Sequence, residues 1–137
     1  MTADGYMKRL NVFKKFALEL ATLSKCEQKK VAAIIVDKNL TQVLSIGING
    51  GPAGLVDCMC KLGDKYSCVH AEMNALVKCN NADKDKIMIV TLSPCKMCAA
   101  AIINAPGSFS KVYYVHPWKD STGLQLLNKA GIPTVQL

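Results

Sequence analysis

The chain has a single arginine, Arg9, and only 6% aromatic residues, so it lacks the arginine- and aromatic-rich surface that strand-binding proteins use. No apolar run approaches the roughly 20 residues that span a bilayer, which excludes a membrane helix from the expectation. Internal repeats, low-complexity tracts and linker-like stretches are also missing, and residues 1–137 are expected to form one domain. Met1 to Asn11 carries Asp4, Lys8 and Arg9 and no apolar core of signal-peptide length, so the expected location is the cytoplasm. Half the residues are hydrophobic and 20% are charged, a balance that rules out a disordered or coiled-coil chain. The net charge, 17 − 10 = +7, comes almost wholly from lysine and suits either an anionic partner or a solvated lysine-rich surface.

Seven cysteines in so short a chain indicate either a disulfide framework or a metal and thiol site. The odd count argues against complete internal pairing, and no secretion signal opens the chain. Thiols in a reducing compartment follow, and zinc becomes the expected ligand.

Apolar residues Leu10, Phe13, Phe16, Ala17 and Leu20 recur in steps of three and four, which predicts an amphipathic helix from Tyr6 to near Ser24. Val31–Val36 and Val43–Ile48 read as paired strands, followed by a glycine- and proline-rich loop from Asn49 to Gly54. A helix is expected over Val69–Lys78 and a strand over Ile87–Thr91. Ser93 reads as a cap and Pro94 as a first helical residue, opening a helix from Cys95 to about Ile103. A strand at Val112–Val115, a helix at Asp120–Lys129 and a strand at Ile132–Val135 complete the pattern. The expected architecture is α/β: a five-stranded mixed sheet with helices on both faces, three layers in all, the first strand pair antiparallel and later strands joined by helical crossovers.

Cys95 and Cys98 both project from the first turn of a predicted helix, whose N-terminus favours thiolates. His70, on the other internal helix, supplies a third metal ligand, and Glu72 follows it by two residues. His-x-Glu followed by Pro-Cys-x-x-Cys is the signature of zinc nucleobase deaminases. Two thiolates and a neutral imidazole balance the zinc charge and leave its fourth position for a water of lowered pKa. Glu72, not itself a ligand, is placed to carry protons from that water to the ring nitrogen and the departing amine. A non-catalytic zinc module that binds nucleic acid would use the same cysteines and charge, but it leaves Glu72 without a role.

The stretch Ser45–Gly54, the helix segment His70–Leu76, the entry Thr91–Cys95 and the ending Leu126–Ile132 resemble the deoxycytidylate deaminases of bacteria and phage, within the cytidine-deaminase-like superfamily. The chain departs from that pattern at Ile48, where an aromatic residue is usual, and at Ala33, where glycine is common. The resemblance implies hydrolysis of dCMP to dUMP and ammonia, with zinc on His70, Cys95 and Cys98 and Glu72 as the catalytic residue. It implies substrate contacts from Asn49, Ala71 and Ser93, and a zinc-side oxygen gripped by backbone N–H groups near Cys95. It also implies a homo-oligomer, typically a hexamer, with dCTP as activator and dTTP as inhibitor. Mg2+ accompanies these effectors, whose site includes Asn49, Gly50, Pro52 and Gly54. Some relatives carry a second, structural zinc, for which Cys26, Cys58, Cys60 and Cys68 are the available ligands here; Cys79 reads as a small core residue. Lys29, Lys30, His116 and Lys119 are candidates for the substrate phosphate. Related deaminases act on tRNA adenosine or free cytidine, and those activities are the alternatives.

Overall fold

The computed structural model describes residues 1–54, 68–80 and 85–137. Its elements are α1 (Ala3–Ala21), β1 (Ala32–Val36), β2 (Val43–Ile48), α2 (Ala71–Lys78), β3 (Lys86–Leu92), α3 (Lys96–Asn104), β4 (Phe109–His116), α4 (Thr122–Lys129) and β5 (Thr134–Gln136). This is the expected element order. The strands form one mixed sheet in the order β2-β1-β3-β4-β5, with β1 antiparallel to both neighbours and β3, β4 and β5 parallel. β2 and β3 therefore run the same way on either side of β1. Their carboxyl ends open at one edge of the sheet, the edge beyond which α/β folds of this kind bind ligands.

β1 and β3 are apolar throughout because helices cover both faces, and alternate side chains enter opposite layers. Ala33, Ile35, Met88 and Val90 pack with Ala71, Ala75, Ala99, Ile102 and Leu127 from α2, α3 and α4. Ala32, Ile34, Val36, Ile87 and Ile89 pack with Leu10, Ala17 and Leu20 of α1. The three-layer α/β/α arrangement is thus present. α1 begins three residues before the expected Tyr6 because the Thr2 hydroxyl caps it, accepting the Gly5 N–H at 3.0 Å. Phe16, read from the sequence as part of the buried stripe, is 39% exposed; Tyr6 and Phe13 flank the stripe instead. No helix among the described residues is long and apolar enough to cross a membrane.

The turn joining β1 to β2 is held by a carboxylate. Asp37 accepts hydrogen bonds from the N–H groups of Thr41 and Gln42, both at 2.7 Å, and from the Thr41 hydroxyl at 2.6 Å. This fixes Leu40 at φ 57°, a left-handed conformation that costs a bulky residue about 1 kcal/mol, while its side chain fills the α1 core at 1% exposure. Burial alone would raise the Asp37 pKa, but the hydrogen bonds outweigh it and hold the carboxyl below the usual carboxylate range. A lowered folded-state pKa means that the stabilisation is present above about pH 3.9 and is lost as pH falls through the lowered value. Urea unfolding of Asp37→Ala should therefore show a loss of about 1–2 kcal/mol at pH 7, and the gap to the parent should narrow below about pH 3. A gap independent of pH would contradict the assigned role.

Candidate active site

The chain stays extended from β3 through Ser93 and Pro94 to Cys95, which is the N-cap of α3. The Cys95 sulfur accepts the Cys98 N–H at 3.5 Å. Ser93, expected as the cap, is otherwise engaged: its hydroxyl accepts the Trp118 N–H at 2.7 Å, and its own N–H donates to the His116 carbonyl at 2.9 Å. Tied to the end of β4, it does not reach the first turn of α3. On the facing side, Gly50 and Val69 form an antiparallel bridge, which holds Val69 extended and delays α2 to Ala71. His70 becomes the N-cap of α2 and Glu72 lies in its first turn.

The two helix starts bring the three expected ligands together. His70 Nδ1 lies 3.3 Å from Cys98 Sγ and 3.5 Å from Cys95 Sγ, and the three donor atoms are all within 4.8 Å of one another. Two ligands of a tetrahedral zinc, at about 2.1 Å for nitrogen and 2.3 Å for sulfur, sit about 3.6 Å apart, so this donor set fits zinc. Three protein ligands leave one position open, the arrangement of a catalytic centre. Among the described residues this is the one His, Cys, Asp or Glu cluster of its kind. The proposed second-metal set is not assembled in them: Cys26 and Cys68 are described, while Cys58 and Cys60 lie outside the described residues.

The charges around the donors are strongly coupled. Hydrogen bonding from Cys98, with His70 alongside, pulls the Cys95 thiol down to about 3, so it is a thiolate at neutral pH. The same hydrogen bond, together with burial and the Glu72 charge, pushes Cys98 up. The Cys95 hydrogen bond raises the His70 pKa. Glu72, only 4% exposed, is raised to about 7 by burial, which places its proton exchange near neutrality.

Close backbone packing sets the two halves of the site against each other. α2 is held on β2 by the Ser45 hydroxyl, which donates to the Ala75 carbonyl at 2.6 Å, and by Asn74 Nδ2, which donates to the Ile48 carbonyl at 2.8 Å. Between them a Cβ on Gly47 would lie 2.2 Å from the Ala71 carbonyl oxygen and 2.5 Å from the Ala75 nitrogen. Behind α3, a Cβ on Gly123 would lie 2.0 Å from the Pro94 carbonyl oxygen and 2.8 Å from the Cys95 carbonyl carbon. The resemblance included Gly47 without a stated role, and sequence reasoning passed over Gly123 entirely. Its only local signal is a glycine in the first turn of a helix, where nothing about the helix itself requires one.

A cavity of about 470 Å³, within the range of small-molecule sites, opens where the strands end. His70, Ala71, Glu72, Ser93 and Cys95 line it, as do Asn49, Lys29 and Trp118. Ala71, Glu72 and Ser93 are buried, whereas Lys29 is exposed. Of the four phosphate candidates, Lys29 is the one among the described lining residues; Lys30, His116 and Lys119 are exposed elsewhere. Asn49 lines the cavity with its side chain already bonded: Oδ1 accepts from the Ser24 hydroxyl at 2.7 Å and the Val31 N–H at 2.9 Å, and Nδ2 donates to the Lys29 carbonyl at 2.7 Å. Trp118, a lining residue that the sequence reading did not single out, arrives from the turn after β4.

A model of the family described as the cytidine and deoxycytidylate deaminase zinc-binding region matches residues 7–116, which include all four residues of the His70, Glu72, Cys95 and Cys98 constellation. The chain belongs to the cytidine and deoxycytidylate deaminase family. It is similar to the deoxycytidylate deaminase of Mus musculus, 35% identical over 94% of this chain and 79% of the mouse protein. It is also 35% identical to ComE operon protein 2 of Bacillus subtilis, over 86% of this chain and 65% of that protein. Among solved structures, the dCMP deaminase of cyanophage S-TIM5 in complex with dCMP and dUMP superposes with a TM-score of 0.84 at 30% identity, covering 100% of this chain and 99% of the phage protein. The five-stranded α/β/α fold and the His, Cys, Cys donor set are those of a zinc-dependent deaminase.

Proposed function

We propose that this deaminase converts dCMP and water to dUMP and ammonia. The observation that carries the reading is the assembly of His70, Cys95 and Cys98 beside a buried Glu72, in a chain that matches a dCMP-binding phage deaminase along its whole length. His70 Nδ1 and the sulfurs of Cys95 and Cys98 would hold zinc, which would supply Lewis-acid chemistry able to lower the pKa of a water from about 15.7 toward about 7. Glu72 takes one proton from the water that attacks C4 of cytosine and gives it to N3, then carries the second, from the C4 hydroxyl so formed, to the amino nitrogen as the C4–N bond breaks and ammonia leaves. A carboxyl with its pKa near neutrality is suited to both directions of transfer. Ala71 and Ser93 line the base end of the cavity, and Asn49 braces its rim.

The reading extends to a homo-oligomer, a hexamer in the resemblance, that responds to dCTP and dTTP with Mg2+. The effector loop Asn49–Gly54 would then adjoin the catalytic cavity, which Asn49 lines. A second, structural zinc on Cys26, Cys58, Cys60 and Cys68 belongs to the same proposal. The main reading is tested by ammonia release from the zinc-loaded protein with dCMP, deoxycytidine, cytidine and a tRNA anticodon stem-loop. dCMP should be deaminated with the highest kcat/KM. Faster turnover of any other substrate would overturn the assignment.

A further inference from the structure

We infer that Lys29 reads the 5′-phosphate of the substrate, and that Trp118 and Asn49 hold it ready to do so. The inference rests on the dCMP reading and names the residue that separates a nucleotide from its nucleoside.

The base of a nucleoside monophosphate must reach Glu72 and the His70–Cys95–Cys98 donors, so its dianionic phosphate lies at the other end of the molecule, where it needs a cation among the lining residues. Among the described lining residues, Lys29 is the one Lys or Arg, and Glu72 is the one carboxylate. Among the described residues the cavity thus carries a single fixed cation, whose charge is also felt at His70. Lys29 is exposed where Ala71, Glu72 and Ser93 are buried, as a residue at the mouth must be.

Two contacts restrain this lysine. Its ammonium sits over the Trp118 ring, 5.1 Å from the centroid, a cation–π arrangement that narrows its rotamer choice. The Trp118 backbone is itself anchored by the bond from its main-chain N–H to the Ser93 hydroxyl. The Lys29 backbone is fixed by Asn49, which bonds the Lys29 carbonyl with Nδ2 and the Val31 N–H with Oδ1, clamping the segment that leads into β1. A long flexible side chain loses rotamer entropy when it is ordered against a ligand, and restraint beforehand reduces that loss. Lysine also serves phosphate as a point charge and needs no second donor.

The test compares wild-type protein, Lys29→Gln and Lys29→Arg, all zinc-loaded, with dCMP and deoxycytidine as substrates. Lys29→Gln should raise KM for dCMP roughly 10- to 100-fold with kcat little changed and with deoxycytidine kinetics unaltered, so that discrimination between the two collapses. Lys29→Arg should recover most of it. Equal losses on both substrates, or an unchanged preference for dCMP, would overturn the inference. Trp118 is the only tryptophan, so its fluorescence gives an independent readout of binding. dUMP should bind the wild type more tightly than deoxyuridine does, and Lys29→Gln should erase the difference. If the wild type fails to deaminate dCMP, the functional reading falls, while the fluorescence comparison still decides the role of Lys29.

Discussion

Glu72→Gln is expected to lower kcat for dCMP deamination by roughly 10²- to 10⁴-fold, with the fold and zinc content retained. Glutamine keeps the shape of the side chain and loses the proton exchange. Glu72 is 4% exposed in the first turn of α2 and is not one of the three donors, so the substitution leaves His70, Cys95 and Cys98 in place. It also relieves a buried group whose charged form is disfavoured by burial, so stability should not fall. Zinc analysis and thermal unfolding beside the activity assay make the outcome decisive. Full activity with zinc retained would remove Glu72 from the mechanism. Loss of zinc would instead assign it to the metal centre.

The second large effect comes from one methyl group placed outside the cavity. Gly123→Ala puts a Cβ 2.0 Å from the Pro94 carbonyl oxygen and 2.9 Å from that of Cys95, and both are backbone atoms. No side chain can swing aside, so either α4 lifts away or Cys95 moves at the start of α3. The expected cost is roughly 2–3 kcal/mol, a fall in Tm on the order of 10 °C, together with zinc affinity lower by about 10- to 100-fold. Gly47→Ala should act on the other half of the site, pushing α2 off β2 and carrying His70 and Glu72 with it. Competition with a chromophoric zinc chelator measures the affinities. Gly50→Ala is the comparison: a Cβ there meets nothing within 4 Å, and its zinc affinity and Tm should stay near wild type. If Gly123→Ala binds zinc as tightly as Gly50→Ala, the packing does not set the ligand geometry.

The elements that hydrophobic pattern predicts well are those whose burial is itself periodic. β1 and β3 read as strands because both faces are covered, and the stripe of α1 read as a helix because one face is. The start of α3 was harder to read. Ser-Pro ahead of a helical run has the local form of a cap and first turn, yet the Trp118 N–H engages the Ser93 hydroxyl from 25 residues away, and the Cys95 sulfur takes the capping role. α2 starts late for a similar reason, since its first expected residue, Val69, is held extended by Gly50. β4 starts at Phe109 and not at Val112 because parallel pairing with β3 extends it through Ser110 and Lys111, which no apolar run announces.

The sequence by itself determined the chemistry of this protein. His70, Glu72, Cys95 and Cys98 declare zinc deamination through residue type and spacing, because ligand softness and proton transfer are properties of side chains before they are properties of a fold. Only the tertiary structure decided what surrounds that centre. Lys29 meets Trp118, and Gly123 meets Pro94, across long stretches of chain, through contacts that no local pattern encodes. Sequence spacing can place two ligands on one helical turn. Which cation faces the cavity, and how tightly one helix lies on another, depends on where separate elements come to rest in the packed core.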